Sequence, residues 1–262
     1  VKDSLVGEYR EKAAAKGLGA VLDAGDESGK NEYLDFVHRR ELARVVEMLG
    51  PRAADLGCGI GRLTGLIARD RFTAGVDGSP DLLARARARL APGFPLVRAD
   101  LAAVPLSSGS LTGVFMAFVS LQFDDATAAR AFAEAFRVLQ PGGVLVLFEH
   151  LAPSGEDRAY RGVTDRSRAS IERLLTAAGF EPPAFRAMKK SPSRVVHWVK
   201  SGRLPRALWA LGAALDRRAC TRRPELADYL ECVVVARRPG GTAPEIERPS
   251  ALSLFLPRRW LR

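Results

Sequence analysis

Leu34, Val37, Leu42, Val45, Val46 and Leu49 recur at three- and four-residue steps. That spacing lines one face of a helix and predicts a helix over 31–49, ended by Gly50-Pro51. Before it, Asp26-Glu27-Ser28-Gly29 reads as a turn. Beyond Pro51, short apolar runs alternate with helical stretches. Strands are predicted over 52–56, 73–76, 95–98, 113–119 and 144–148, and helices over 63–69, 81–90, 126–139 and 167–178. Ser79 before Pro80 has the chemistry of a helix N-cap. The run 113–119 is almost continuously apolar, as expected of a strand covered on both faces. Pro141-Gly142-Gly143 reads as a turn, and Gly179 closes the helix before it. Strand–helix alternation on this scale predicts an α/β fold with a doubly wound, mostly parallel sheet.

After Phe185 the rhythm breaks. Two helices are predicted over 194–200 and 203–219, followed by a β-rich run over 229–236. The chain therefore divides into N-terminal cap helices (1–50), an α/β domain (51–238) with a helical lid at about 191–223, and a tail (239–262). The tail carries Leu252, Leu254, Phe255, Leu256 and Trp260.

Composition changes this picture in two ways. With 262 residues, 47% of them hydrophobic and 27% charged, the chain can bury a full core. It has no apolar run near the roughly 18 residues that a membrane span needs. The first thirty residues lack the apolar core of a secretory signal. Cys58, Cys220 and Cys232 are scattered, with no CxxC pair. No metal site is therefore expected, and a reduced, cytoplasmic protein is. The net charge of +10 is unevenly spread. Residues 1–183 hold 23 basic and 24 acidic side chains, whereas 184–238 hold 13 and 4. A lid of that charge points to an anionic partner.

The most informative stretch is Asp55-Leu56-Gly57-Cys58-Gly59-Ile60-Gly61, between a strand and a helix. Glycines there let the backbone turn tightly and come close to a ligand. The dinucleotide fingerprint needs glycine or alanine three positions after its second glycine; Arg62 stands there. Asp55, just before the glycines, also disfavours a pyrophosphate. Asp77, followed by Gly78, ends the second strand, where a carboxylate can accept both hydroxyls of a ribose. Asp100 ends the third, where it can accept an adenine amine while Leu101 offers its N–H to the ring. Either aspartate alone is an ordinary helix cap. With the glycine loop they describe an adenosine site without phosphates.

This order of pieces, with Arg137-Val138-Leu139-Gln140-Pro141-Gly142-Gly143 after it, resembles the class I S-adenosylmethionine-dependent methyltransferases. The resemblance covers 52–150, with a looser echo to 238. It is nearest to the small-molecule subgroup of quinone and natural-product enzymes. It implies a Rossmann-like, seven-stranded sheet whose last strand is antiparallel, and S-adenosyl-L-methionine as cofactor. It implies a cofactor site built from Asp55, Gly57, Cys58, Gly59, Gly61, Asp77, Gly78, Asp100, Leu101 and Phe118. Many relatives end the fourth strand with histidines; here Ser120-Leu121-Gln122-Phe123 stands there.

In-line methyl transfer needs a general base only if the acceptor must lose a proton. His150 beside Glu149, just after the fifth strand, is the best candidate, with Gln122 the third catalytic candidate; a structural role for the pair stands equally open. His38 and His197 read as structural or solvated. Tyr33 reads either as a cover for the methionine end of the cofactor or as a core aromatic. In the lid, Leu204, Leu208, Leu211 and Leu215 form a stripe flanked by Arg203, Arg206, Arg217 and Arg218, with Trp198 and Trp209 nearby. One reading packs the leucines on the core; the other makes the lid a cap for an anionic or amphiphilic small molecule, presented at a membrane surface. Nucleic acid is the weaker alternative partner, since the Asn/Asp-Pro-Pro-aromatic motif of base-amine methylation is absent. A non-catalytic partner protein of the same fold is a third.

Overall fold

The computed structural model describes residues 17–23, 26–160, 162–220 and 227–240. The tail at 241–262 and the predicted end of the lid at 221–223 lie outside the described residues. The strands are Arg52–Leu56 (β1), Phe72–Asp77 (β2), Leu96–Arg98 (β3), Leu111–Ala117 (β4), Leu139–Ala152 (β5), Arg158–Tyr160 (β6), Val163–Ser167 (β7), Ala184–Ser191 (β8) and Tyr229–Arg237 (β9). Seven of them lie in the order β3-β2-β1-β4-β5-β9-β8. The pairs from β3 to β5 are parallel, and β9 runs antiparallel to both β5 and β8. The expected sheet with its antiparallel last strand is therefore present. β6 and β7 add a hairpin that the apolar pattern missed; β7 pairs with Leu151 and Ala152 at the end of β5.

The helices are Lys30–Leu42 (α1), Thr64–Ile67 (α2), Pro80–Arg89 (α3), Asp125–Val138 (α4), Arg168–Ala177 (α5), Arg194–Lys200 (α6) and Trp209–Ala219 (α7). Asp26 accepts the N–H groups of Ser28 and Asn31 and so starts α1 from the predicted turn. α1 stops at Leu42, not at 49. Hydrogen bonds of i→i+3 type tighten the chain there, and Val46–Leu49 forms a separate 3-10 turn. Val45, Val46 and Leu49 stay buried across the break, which is why the spacing looked continuous. Ser79 caps α3 as expected, its hydroxyl accepting from Leu82 N–H at 3.3 Å.

Pro141-Gly142-Gly143 is a bulge inside β5 rather than a turn before it. Leu111 pairs with Leu139 and Gly113 with Val144, so residues 140–143 leave the ladder. β5 then runs on to Ala152, past the predicted end at Phe148. Residues of the central strands alternate between two cores. Val114, Met116, Leu145 and Leu147 pack against α4 and α5. Phe115, Val144, Val146 and Phe148 pack under α2 and the 3-10 turn.

The lid folds back on α1. Val195, Val199, Trp209 and Ala213 pack against Tyr33 and Val37. The predicted helix over 203–219 starts only at Trp209, after a 3-10 turn at Arg206–Leu208. Its leucine stripe is split: Leu204 packs against the cluster of Val195 and Trp209, whereas Leu208, Leu211 and Leu215 are exposed. Part of the basic excess is used internally. Lys189 is buried on Glu231, Arg186 and Arg217 reach Glu41, and Arg238 donates to the carbonyl of Leu139. Among the described residues no helix is long and apolar enough to cross a membrane.

Candidate functional site

The winding of the sheet reverses between β1 and β4, and in open α/β sheets ligands bind outside the C-terminal ends of the strands at such a point. The glycine loop leaves β1 at that point. Gly57, Gly59 and Gly61 all adopt left-handed backbone, with φ of 81°, 53° and 70°. A Cβ on Gly57 would lie 2.3 Å from Val119, so the loop there is closed to any side chain. The amides of Gly57 and Cys58 donate to Val76 O at 2.7 and 3.0 Å, tying the loop to β2. Cys58 is buried, and burial pushes its thiol far above the ordinary range.

Asp77 sits at the end of β2 and accepts Gly59 N–H at 2.9 Å on one oxygen and Ser79 N–H at 2.8 Å on the other. Both bonds fix the carboxylate without exhausting its lone pairs. Asp55 is buried and accepts the Thr64 hydroxyl at 2.5 Å; burial raises its pKa to about 7. It braces the loop against α2. Asp100 is exposed and accepts Ala102 N–H at 2.9 Å, while Leu101 is buried beneath it. Arg62 occupies the position where a dinucleotide site needs a small residue. It is buried, and its guanidinium donates to Asp35 at 2.9 Å and to Nδ1 of His38 at 3.2 Å.

The ends of β4 and β5 form the other wall. β4 stops at Ala117, and Phe118 takes a left-handed φ of 57°, rare for a side-chain-bearing residue and a mark of stored strain. Phe118 N–H donates to Phe148 O at 2.7 Å, and Gln122 Nε2 donates to Phe118 O at 2.9 Å. Gln122 thus braces the strained turn rather than projecting alone. The Phe118 ring touches His38 and His150, at centroid distances of 4.8 and 5.2 Å.

His150 lies within β5, not after it. Its ring stacks on Tyr229 of β9 at 4.0 Å, and its Nδ1 faces Asp165 Oδ1 of β7 at 3.5 Å. Asp165 is buried and also meets Arg158. Neither Asp165 nor Tyr229 was singled out from sequence. Glu149 and His150 are adjacent residues of β5, so their side chains leave the strand on opposite faces. The Glu149 side chain is buried and accepts the Ser120 hydroxyl. Burial raises its pKa to about 7, against the weaker pull of Ser120 and His150.

A carboxyl raised in this way favours the folded state only while protonated. Its contribution is complete below the ordinary carboxylate range and is lost as pH rises through about 7. Glu149→Gln is therefore expected to stabilise the protein at pH 8 by on the order of 3 kcal/mol, and by little at pH 5. Thermal melts of both proteins at the two pH values check this. An equal loss at both would mean that the carboxylate is charged in the fold.

Behind Phe118 runs a buried polar chain. Because Arg62 donates to Nδ1 of His38, the His38 proton sits on Nε2, which donates to Glu231 at 3.1 Å. Glu231 in turn pairs with Lys189 at 3.0 Å. His38 is therefore structural and not solvated, and burial lowers its pKa. Tyr33 takes the core reading: it is buried and donates to Asp216 of the lid at 2.8 Å. A cavity of about 240 Å³ lies between α1, α6 and the β8–β9 ends, lined among others by Lys30, Lys189, His197, Lys200 and Tyr229.

Residues 53–143 match the family model described as a methyltransferase domain. An uncharacterised 37.1 kDa protein of transposon TN4556 from Streptomyces fradiae is 34% identical over 58% of this chain and 52% of its own length. A demethylmenaquinone methyltransferase from Thermus thermophilus is 34% identical over 44% of this chain and 54% of its own. The chain spans about half the length of the curated relatives it matches. Among solved structures, a geranyl diphosphate C-methyltransferase from Streptomyces coelicolor, bound to S-adenosyl-L-homocysteine, has a TM-score of 0.58. It is 15% identical, with 86% of this chain and 85% of that one covered, a likeness of fold alone. The glycine loop, the aspartates that end β2 and β3 and the sheet order agree with the match of residues 53–143 to a methyltransferase domain.

Proposed function

We propose that the chain methylates a small-molecule acceptor that is anionic or amphiphilic. The observation that carries the reading is Asp77, clamped by the Gly59 and Ser79 amides at the mouth of a loop of left-handed glycines. Its free lone pairs suit ribose hydroxyls, and a carboxylate at the end of β2 repels phosphate, so the residues fit an adenosine without phosphates. In this reading Gly57, Cys58, Gly59 and Gly61 close round the methionine part, with Asp55 bracing them. Gly78 lets the chain turn beside the ribose, Asp100 and Leu101 meet the adenine, and Phe118 forms the floor.

When bound, S-adenosylmethionine supplies a methyl group on a sulfonium, whose leaving group is neutral. The chain's own work is alignment and, for an acceptor that loses a proton, acceptance of that proton. His150 is the group suited to it. Asp165 faces its Nδ1 and would steady the imidazolium, and Tyr229 holds the ring plane. His197 and Lys200 around the neighbouring cavity support an acceptor bearing a carboxylate or phosphate, with Lys30 beside them paired to Asp23 at 2.8 Å, and Leu34 and Val196 give it an apolar wall.

Asp77→Ala is expected to weaken S-adenosylmethionine binding by about 1.5–3 kcal/mol, the loss for hydrogen bonds to a charged acceptor. Titration calorimetry checks it, and unchanged affinity would move the ribose elsewhere. Release of S-adenosylhomocysteine, assayed against matched anionic and neutral acceptors, tests the substrate class; a preference for the neutral set sinks it.

A further inference from the structure

Four of the five exposed large hydrophobic side chains among the described residues lie on the lid: Trp198, Leu208, Leu211 and Leu215 are 37%, 47%, 56% and 43% exposed. The fifth, Phe72, begins β2. Leu208, Leu211 and Leu215 follow at three and four residues, so they form one outward stripe. Scattered apolar residues on a surface are ordinary, but a stripe of this kind marks a place of contact. The stripe is not needed to hold the lid in place. α7 is anchored by its other side, where Trp209 and Ala213 pack on α1 and Gly212 lies so close to Leu204 and Val195 that a Cβ would meet them at 2.8 and 2.9 Å.

Charge says what covers the stripe. Arg194, Arg203, Arg206 and Arg218 are all exposed on the same lid. Between 192 and 220 the one acidic residue is Asp216, and it is buried on Tyr33 and Ser193. The outer surface of the lid thus combines leucines and cations and has no carboxylate of its own. A second copy of the chain, docked face to face about a twofold axis, would set one cationic rim against its equal. The chain's own segment 241–262 carries four arginines and two glutamates, so it too would bring net positive charge to a positive rim. An anionic lipid surface matches both features. Leucines on an interfacial helix enter the boundary of the acyl chains, while long basic side chains reach back to the phosphates.

We propose that the outward face of the lid is a docking surface for an anionic phospholipid bilayer. The inference stands apart from methyl transfer, because it needs only the lid. It is tested by co-sedimentation of the full chain with vesicles of phosphatidylcholine alone and of phosphatidylcholine with a quarter phosphatidylglycerol. Binding to the anionic vesicles only, and release by high salt, is expected. The variant L208Q/L211Q/L215Q should lose roughly tenfold in vesicle affinity, with its melting curve unchanged because those side chains are exposed. Phe72→Gln should bind like the parent. The proposal is overturned if neither vesicle binds the chain, or if the triple variant binds as well as the parent. It is overturned also if the leucines instead sustain a dimer in sedimentation velocity, or if binding emerges only once residues 241–262 are removed.

Discussion

His150→Ala is expected to slow methyl transfer by roughly 10²–10⁴, the range for loss of an acid–base group, while S-adenosylmethionine affinity stays as it was. The ring is not a casual neighbour of the site. Tyr229 stacks on one face of it, Phe118 abuts its edge and Asp165 lies at its Nδ1, so three separate segments fix its position. An exposed, solvated histidine would need none of them. Turnover is followed as S-adenosylhomocysteine released, and affinity by calorimetry on the same preparation. Asp165→Asn keeps the shape of the site but removes the charge facing Nδ1, so it should lower turnover less than His150→Ala. Parent-like turnover in the alanine variant would point to an acceptor with no proton to lose, methylated through alignment alone.

A second large effect is expected at Glu231. Its carboxylate is buried, and burial works against the charge, yet Lys189 at 3.0 Å and the His38 Nε2–H at 3.1 Å outweigh it. Together they hold the group well below the usual carboxylate range. Glu231→Ala leaves a buried ammonium without its counter-charge and a buried imidazole N–H without its acceptor. The expected cost is about 3–5 kcal/mol, read from urea unfolding. Replacing both members, as Lys189→Met with Glu231→Met, should recover much of that loss, because no isolated charge then remains inside. A double variant as unstable as the single one would locate the cost in packing. Since the folded group is held low, its stabilisation is intact at neutral pH and disappears only as the medium is acidified through and below the ordinary carboxylate range.

The parts of the site that were legible in the sequence are those built from neighbours along the chain. The glycine loop, Asp77 and Asp100 each belong to one strand end and the turn after it, so their spacing carried their chemistry. The His150 environment was opaque for the opposite reason. Asp165 comes from a polar hairpin with no apolar alternation, and Tyr229 from the last strand, some eighty residues away in the chain. β8 escaped because Arg186, Lys189 and Lys190 interrupt its apolar pattern; Lys189 is inside only because Glu231 is opposite it. In the lid, periodicity revealed that Leu208, Leu211 and Leu215 share a face. It carried no sign of direction, and the small residues Gly212 and Ala213 turned out to be the ones that face inward. The continuous spacing over 31–49 hid a change of helix type, because a 3-10 turn can keep the same residues buried.

Arg62 has a consequence for how such a protein could change its trade. Converting the loop to dinucleotide use would begin by exchanging Arg62 for glycine or alanine. In this chain that single exchange strips Asp35 of a buried partner and leaves His38 Nδ1 without its donor. His38 is the link to Glu231 and Lys189, and α1, which carries it, also holds the lid through Tyr33 and Asp216. The choice of residue at the glycine loop is thereby yoked to the seating of the lid on α1. A lineage exploring new cofactors would have to rebuild both at once, an evolutionary ratchet set by one guanidinium.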